Sequence, residues 1–167
     1  MSATLRSFLL AIGLCSVVAG CGQPDSATTQ ISEVPVLPGQ APSTPAWAGA
    51  FDGKAISSLR LTKDCVGYAD KVVAKYAGTP PGFQIVGWGW NSSAKRPAER
   101  VLIADSKGIV VGAGVGGTDR PDVSDAIKTV TSSKTGWTAY GHSADTELTA
   151  WLLSANSAVC SVGKHSL

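Results

Sequence analysis

Residues 81–117 read PGFQIVGWGWNSSAKRPAERVLIADSKGIVVGAGVGG. Three β-type runs follow one another here: GFQIVGWGW, VLIAD and GIVVGAGVGG. Each is rich in β-branched or aromatic residues, and turn chemistry separates them. The pattern predicts three neighbouring antiparallel strands at the centre of a small β-sandwich. Side chains alternate along a strand, so Gln84, Val86, Trp88 and Trp90 share one face of the first run. Phe83, Ile85, Gly87 and Gly89 share the other. In the third run Val110, Gly112, Gly114 and Gly116 lie on one face. Glycine at every second position weakens a strand and marks the close approach of a ring or another backbone. Rings of Trp88, Trp90 or Trp137 are expected over that face. Core packing is the preferred reading of these tryptophans, and a ligand-stacking platform the alternative.

Outward from this stretch, short strands recur with Gly and Pro between them. They are expected over 65–76, 136–142, 147–153 and 158–162, with a weak candidate at 55–61. Residues 105–108 (DSKG) predict a short hairpin connection ending in a left-handed glycine. Residues 121–130 (PDVSDAIKTV) predict one short helix or turn, with Asp122 as its cap. Together these give an all-β fold over residues 47–167: a small antiparallel β-sandwich with one short helix.

The N-terminal part has a different character. Arg6 precedes the apolar run Ser7 to Val18, too short for a permanent membrane helix and fitting a secretory signal over 1–20. Val18-Ala19-Gly20-Cys21 follows. This resembles the lipobox of bacterial lipoproteins. The resemblance implies cleavage before Cys21, diacylglycerol on its sulfur, and acylation of its new amino group. Two or more acyl chains meet the requirement for stable anchoring. It also implies residence at the cell membrane or, with Gly22 giving no aspartate-type retention signal, at the outer membrane where one exists. Residues 21–46 are rich in Pro, Ser, Thr, Gln and Ala, and read as a disordered tether. Docking of 31–37 as an edge strand is the alternative.

The chain has four cysteines. Cys15 leaves with the signal and Cys21 takes lipid, leaving Cys65 and Cys160 near the two ends of the domain. In an oxidising compartment they read as a disulfide joining the terminal strands; free or metal-bound thiols are the alternative. Lys plus Arg number 14 against 12 Asp plus Glu, a net charge of +2. The one local basic group is Lys95, Arg96 and Arg100, in a turn, so no nucleic-acid partner is expected.

The order GWGW, polar loop, VLIADSKGIVVG, GGTDRPDV, GW and a late cysteine resembles an accessory β-sandwich module of bacterial envelope proteins. That module is often attached to membrane proteins of surface-glycan assembly. The resemblance covers most of residues 65–160 and implies fold and compartment, not chemistry. Asn91 stands where the pattern has an acidic residue.

Three motifs could carry chemistry. Gly112-Ala113-Gly114-Val115-Gly116-Gly117 matches G-x-G-x-x-G, but a dinucleotide fingerprint needs a helix directly after it in a βαβ unit. A Thr-Asp-Arg-Pro turn follows instead, and no cofactor is expected. Gly141-His142-Ser143-Ala144-Asp145 approaches the G-x-S-x-G turn of hydrolases, with His165 as its sole downstream base, in a tail expected to fray. Asp119, Asp122 and Asp125 recur beside Arg120. A hard cation could use them, but the preferred reading is a structural turn in which Arg120 pairs with a carboxylate; no metal is expected.

The resulting expectation is a lipid-anchored envelope protein with a non-catalytic binding or structural module. The alternative is a glycan-binding module, in which Trp90, Trp137 or Tyr140 stack on sugar and Asn91 or Asp119 bind hydroxyls. A hydrolase is the third reading. Expected partners are the membrane, through Cys21, and an envelope protein or glycan.

Overall fold

The computed structural model describes residues 33–167. The expected signal segment and the lipidation site Cys21 lie outside the described residues. The elements are β1 (Val36–Leu37), 3-10 turns at Ala46–Ala50 and Ile56–Ser58, β2 (Arg60–Leu61), β3 (Cys65–Tyr76), β4 (Gly82–Asn91), β5 (Arg96–Pro97), β6 (Arg100–Ala104), β7 (Val110–Thr118), α1 (Pro121–Ala126), β8 (Gly136–His142), β9 (Glu147–Leu153) and β10 (Ala158–Ser166). The fold is all-β with one short helix, as the sequence pattern requires.

The strands form one ten-stranded sheet in the order β1-β3-β4-β8-β7-β6-β9-β10-β2, with β5 on β4. From β3 to β10 every pairing is antiparallel. Seven strands in antiparallel succession put the first and last in the same direction. The sheet bends until β10 returns to the side of β3, so the two layers of the sandwich are halves of a single rolled sheet. Among the described residues no backbone ladder joins β3 to β10. Side chains close this parallel seam instead. Cys65 and Cys160 are disulfide-bonded, with Cα atoms 6.2 Å apart. Further along, Nε2–H of His165 donates to the Asp70 carbonyl at 3.1 Å.

The order corrects one expectation. The second and third runs, β6 and β7, do pair. The first, β4, pairs with β3 and β8 instead of β6. The glycines explain why β8 takes the place beside β7. A Cβ on Gly114 would strike the Thr138 carbonyl and Ala139 of β8, and one on Gly112 would sit 2.6 Å from the Tyr140 carbonyl. The glycine face therefore admits a neighbouring backbone, one of its two expected uses. The ring expectation is not met on that face: Trp137 lies against Gly87 of β4 instead. Trp88 and Trp90 are not there; the ring beside Gly112 and Gly141 is Phe83.

Three apolar clusters follow from the strand faces. Phe83, Ile85, Val101, Ile103, Trp137, Ala139, Leu148 and Leu152 fill the interior of the roll. On the outside of β6, β7 and β9, Leu102, Ala113 and Leu153 are covered by Ala48, Ile56, Trp47 and Phe51 from the chain before β2. On the outside of β4, Trp90 is covered by Val123 and Val130, with Trp88 and Ile127 at the margin.

Two boundaries differ from expectation. Within the stretch expected as a tether through Ala46, Val36–Leu37 pairs with β3 instead. Lys75 N–H donates to the Pro35 carbonyl and Ala77 N–H to the Leu37 carbonyl, both at 2.9 Å. The end of β3 offers unpaired edge donors, and β1 supplies acceptors. The alternative of docking as an edge strand is thus the one observed, over Val36–Leu37. At the other end β10 runs past 162 to Ser166, through a register shift between Ser161 and Lys164 at which Gly163 takes φ +121°. His165 is therefore in a strand, paired with Leu148, and not in a frayed tail.

Candidate functional site

Of the residues expected to bind sugar, the two tryptophans are closed off. Trp90 and Trp137 are each 1% exposed, so neither can stack on a ligand. Period-two alternation says which residues share a face, but not that another segment covers it. Tyr140 is half-buried in the middle of β8, opposite Gln84 and Ala113. Asn91 Oδ1 accepts from Ala94 N–H at 2.8 Å and shapes the β4–β5 turn. Asp119 accepts from Lys134 Nζ at 2.6 Å and from Ser133 Oγ at 3.0 Å; these hydrogen bonds, Lys134 first, hold its carboxyl below its ordinary value.

Arg120 and Asp122 do make a structural turn. Arg120 Nε donates to Asp122 Oδ1 at 2.9 Å and Nη2 to Oδ2 at 2.8 Å, while Nη1 reaches Asp70 on β3. One guanidinium fork thus ties the start of α1 to the roll. Asp122 is not the helix cap expected. Arg120 occupies the cap position without a side-chain cap bond, Pro121 begins the helix, and Asp122 lies in its first turn. Its carboxylate is turned to Arg120, whose hydrogen bonds hold it below the ordinary carboxylate range. Arg120→Ala is expected to cost about 1–2 kcal/mol in chemical unfolding, because it strands the partly buried Asp70. A depressed carboxyl contributes stability that is present above its unfolded pKa and lost as pH falls through its folded one. Wild-type stability should therefore decline below about pH 4, and the variant should lack the Asp122 share of that decline. An unchanged unfolding midpoint in Arg120→Ala would remove this role.

The hydrolase-like motif is also structural. Ser143 Oγ accepts from Asp145 N–H at 3.0 Å. Asp145 accepts from the hydroxyl and the N–H of Ser106, and from Thr146 N–H. The Ser106 hydroxyl leads in holding the Asp145 carboxyl below its usual range. His165 is engaged with β3. The G-x-G-x-x-G run lies inside β7, hydrogen-bonded on both sides, with no free loop to cradle a phosphate. Among the described residues no three His, Cys, Asp or Glu side chains cluster as a metal site would require.

Among several concave features of the surface, the most polar lies at the disulfide end of the roll. Three connections converge there: 60–64 leading into β3, 91–100 around β5, and 154–158 between β9 and β10. An inner cavity of about 130 Å³ is floored by Cys65, Cys160, Ala98, Leu152 and Leu153. An outer one of about 230 Å³ shares Thr62, Asp64, Asn91, Arg96 and Ser154 with it. Arg60 lines the outer part, and Glu99 and Arg100 the inner. Arg96 Nη1 pairs with Glu99 Oε1 at 3.3 Å, both side chains about half exposed. The Arg100 guanidinium lies over Trp47, 5.3 Å from the ring centroid. Ser154 Oγ bonds Asn156 Oδ1 at 2.6 Å. The two non-glycine residues with positive φ among those described, Lys95 (53°) and Ser157 (58°), sit in the two hairpins that wall this cleft. Such a conformation costs about 1–2 kcal/mol. In the sequence Lys95, Arg96 and Arg100 stand out as a basic group, but no local signal marks Arg60, Asp64 or Asn156 beside them.

The arrangement can bind oxyanions through guanidinium groups and hydroxyls through carboxylates and amides. Set against models of protein families, characterised proteins and solved structures, the chain matches none of them.

Proposed function

We propose that this chain is a lipid-anchored protein of the bacterial cell envelope whose folded unit is a non-catalytic binding module. The cleft at the disulfide end is the observation that carries the binding role. It is concave, walled by charged and amide side chains, and built on strand ends that a covalent bridge holds together. Binding surfaces are typically carried this way, on connections positioned by a rigid scaffold. Export is supported by the Cys65–Cys160 bond, since disulfides persist in oxidising compartments. Anchoring is supported by Val18-Ala19-Gly20-Cys21 behind an apolar run. The hydroxyl, imidazole and carboxylate of Ser143, His165 and Asp145 are taken up by framework hydrogen bonds, which favours binding over catalysis.

Cell fractionation tests the anchor. Wild-type protein is expected in the membrane fraction and released only by detergent. Cys21→Ser is expected in the soluble fraction, or as an unprocessed precursor of higher mass. Recovery of that variant in the membrane fraction, cleaved as the wild type is, rejects the lipoprotein reading.

A further inference from the structure

The cleft limits what it can hold. Its adjoining inner and outer cavities, about 130 and 230 Å³, together reach only the low end of the usual range for ligand pockets, about 300–1,000 Å³. One small ligand, or the end group of a longer one, is what fits. No aromatic ring is among the described residues lining it, so recognition there falls to charge and hydrogen bonds.

The charges are mixed. Arg60, Arg96 and Arg100 line the cleft together with Asp64 and Glu99. Among the described residues Arg60 makes no ion pair. The Arg96–Glu99 pair is half exposed, and such pairs contribute little, so a ligand can displace it. Arg100 is steadied by Trp47 through a cation–π contact. A guanidinium fork matches a carboxylate or phosphate in bidentate fashion. Asp64 and Glu99 would repel a bare anion, yet they suit hydroxyl donors. Asn91 spends its carbonyl oxygen on Ala94, which leaves its amide N–H groups as donors. Ala98, Leu152 and Leu153 on the floor can meet a C–H face.

From this we infer that the cleft binds a sugar acid: a hydroxylated ring bearing a carboxylate or a phosphate. Arg60 and Arg96 take the oxyanion; Asp64, Glu99 and Asn91 take the hydroxyls. The inference rests on the reading of the folded unit as a binding module, and adds the ligand class. Lys95 and Ser157, each in a left-handed conformation, fit a rim held in place for a ligand, since strained residues concentrate at functional sites.

The test is calorimetric titration of the full chain in detergent micelles with glucuronate, glucose 1-phosphate, glucose and inorganic phosphate. Saturable binding of glucuronate or glucose 1-phosphate is expected, and the stronger of the two identifies carboxylate or phosphate as the source. Glucose, lacking the anion, and inorganic phosphate, lacking the hydroxyls, should each bind at least roughly tenfold more weakly. Arg60→Ala and Arg96→Ala should each weaken the anionic sugar roughly tenfold, with melting temperatures unchanged. Arg60→Lys, which keeps charge but loses the fork, should fall between. Lys128→Ala, on the segment following α1, should bind as the wild type does. The proposal is overturned if neither anionic sugar binds, if inorganic phosphate binds as well as they do, or if Arg60→Ala with Arg96→Ala still binds. Failure of these titrations while Cys21→Ser leaves the membrane would reject the ligand class and leave the anchored-protein reading standing.

Discussion

Replacing both bridging cysteines, Cys65→Ala with Cys160→Ala, is expected to lower the unfolding free energy by about 4–5 kcal/mol. The bridge closes a loop with a sequence separation of 95 residues, long enough for the chain-entropy model to give nearly its full effect. The seam makes the loss sharper. Each other long strand boundary in the roll carries a backbone ladder, whereas β3 and β10 meet without one among the described residues. What remains there is the His165 bond to Asp70 and the packing of Val162 beside Gly67. Thermal unfolding should show a midpoint lower by on the order of 10–20 °C. Amide exchange should quicken first in β3 and β10, since opening begins where the fewest bonds hold. Reductant should bring wild type to the same midpoint as the double variant. A loss below about 1 kcal/mol would mean that the seam is closed by packing and that the bridge is incidental.

The second large effect is expected at Gly114. A Cβ there would meet the Thr138 carbonyl and the Ala139 backbone, with the nearest other atom the Ala139 side chain at 2.6 Å. These are atoms of β8, which is fixed on one flank by β7 and on the other by β4. It cannot yield to the new methyl without stretching two ladders. Gly114→Ala should therefore cost about 3 kcal/mol, the upper end of the usual overpacking range. The comparison is Gly49→Ala. Gly49 has nothing within 4 Å of the added atom and no positive φ, so its replacement should stay within about 0.5 kcal/mol of wild type. Denaturant unfolding of both proteins decides the matter. Equal midpoints would show that β7 and β8 are not packed at glycine distance, and that the alternating glycines serve some other end.

The fates of particular residues show what local pattern carries. The bounds of β3, β8 and β9 follow from alternation closed off by turn residues, and their expected bounds coincide with those observed. The hairpin at Asp105 was equally legible. Its carboxylate accepts from Lys107 and Ile109 N–H, and Gly108 takes φ +76°. All of these are short-range interactions. Where alternation is interrupted, reading stops early: β10 crosses an irregularity at Gly163, and the continuation to His165 is held by β9 and β3, distant in sequence. The same holds for Trp90. Its face follows from alternation, but Val123 and Val130, which bury it, come from a segment three strands further along the chain.

The sequence by itself determined β3, β8 and β9, which residues share a face of each strand, the hairpin at Asp105, and Cys65 and Cys160 as a candidate bridge. Each depends on neighbours along the chain or on simple elimination. Only the tertiary structure decided the strand order, the parallel seam and the cleft. The order turned on how closely β8 could approach the glycines of β7. The seam followed from rolling an odd number of antiparallel strands. The cleft joins Arg60 and Asp64, Asn91 to Arg100, and Ser154 to Ala158, connections that meet because the disulfide brings together strands 95 residues apart. No local rule places such residues side by side, because their proximity is a property of the closed sheet and not of any segment within it.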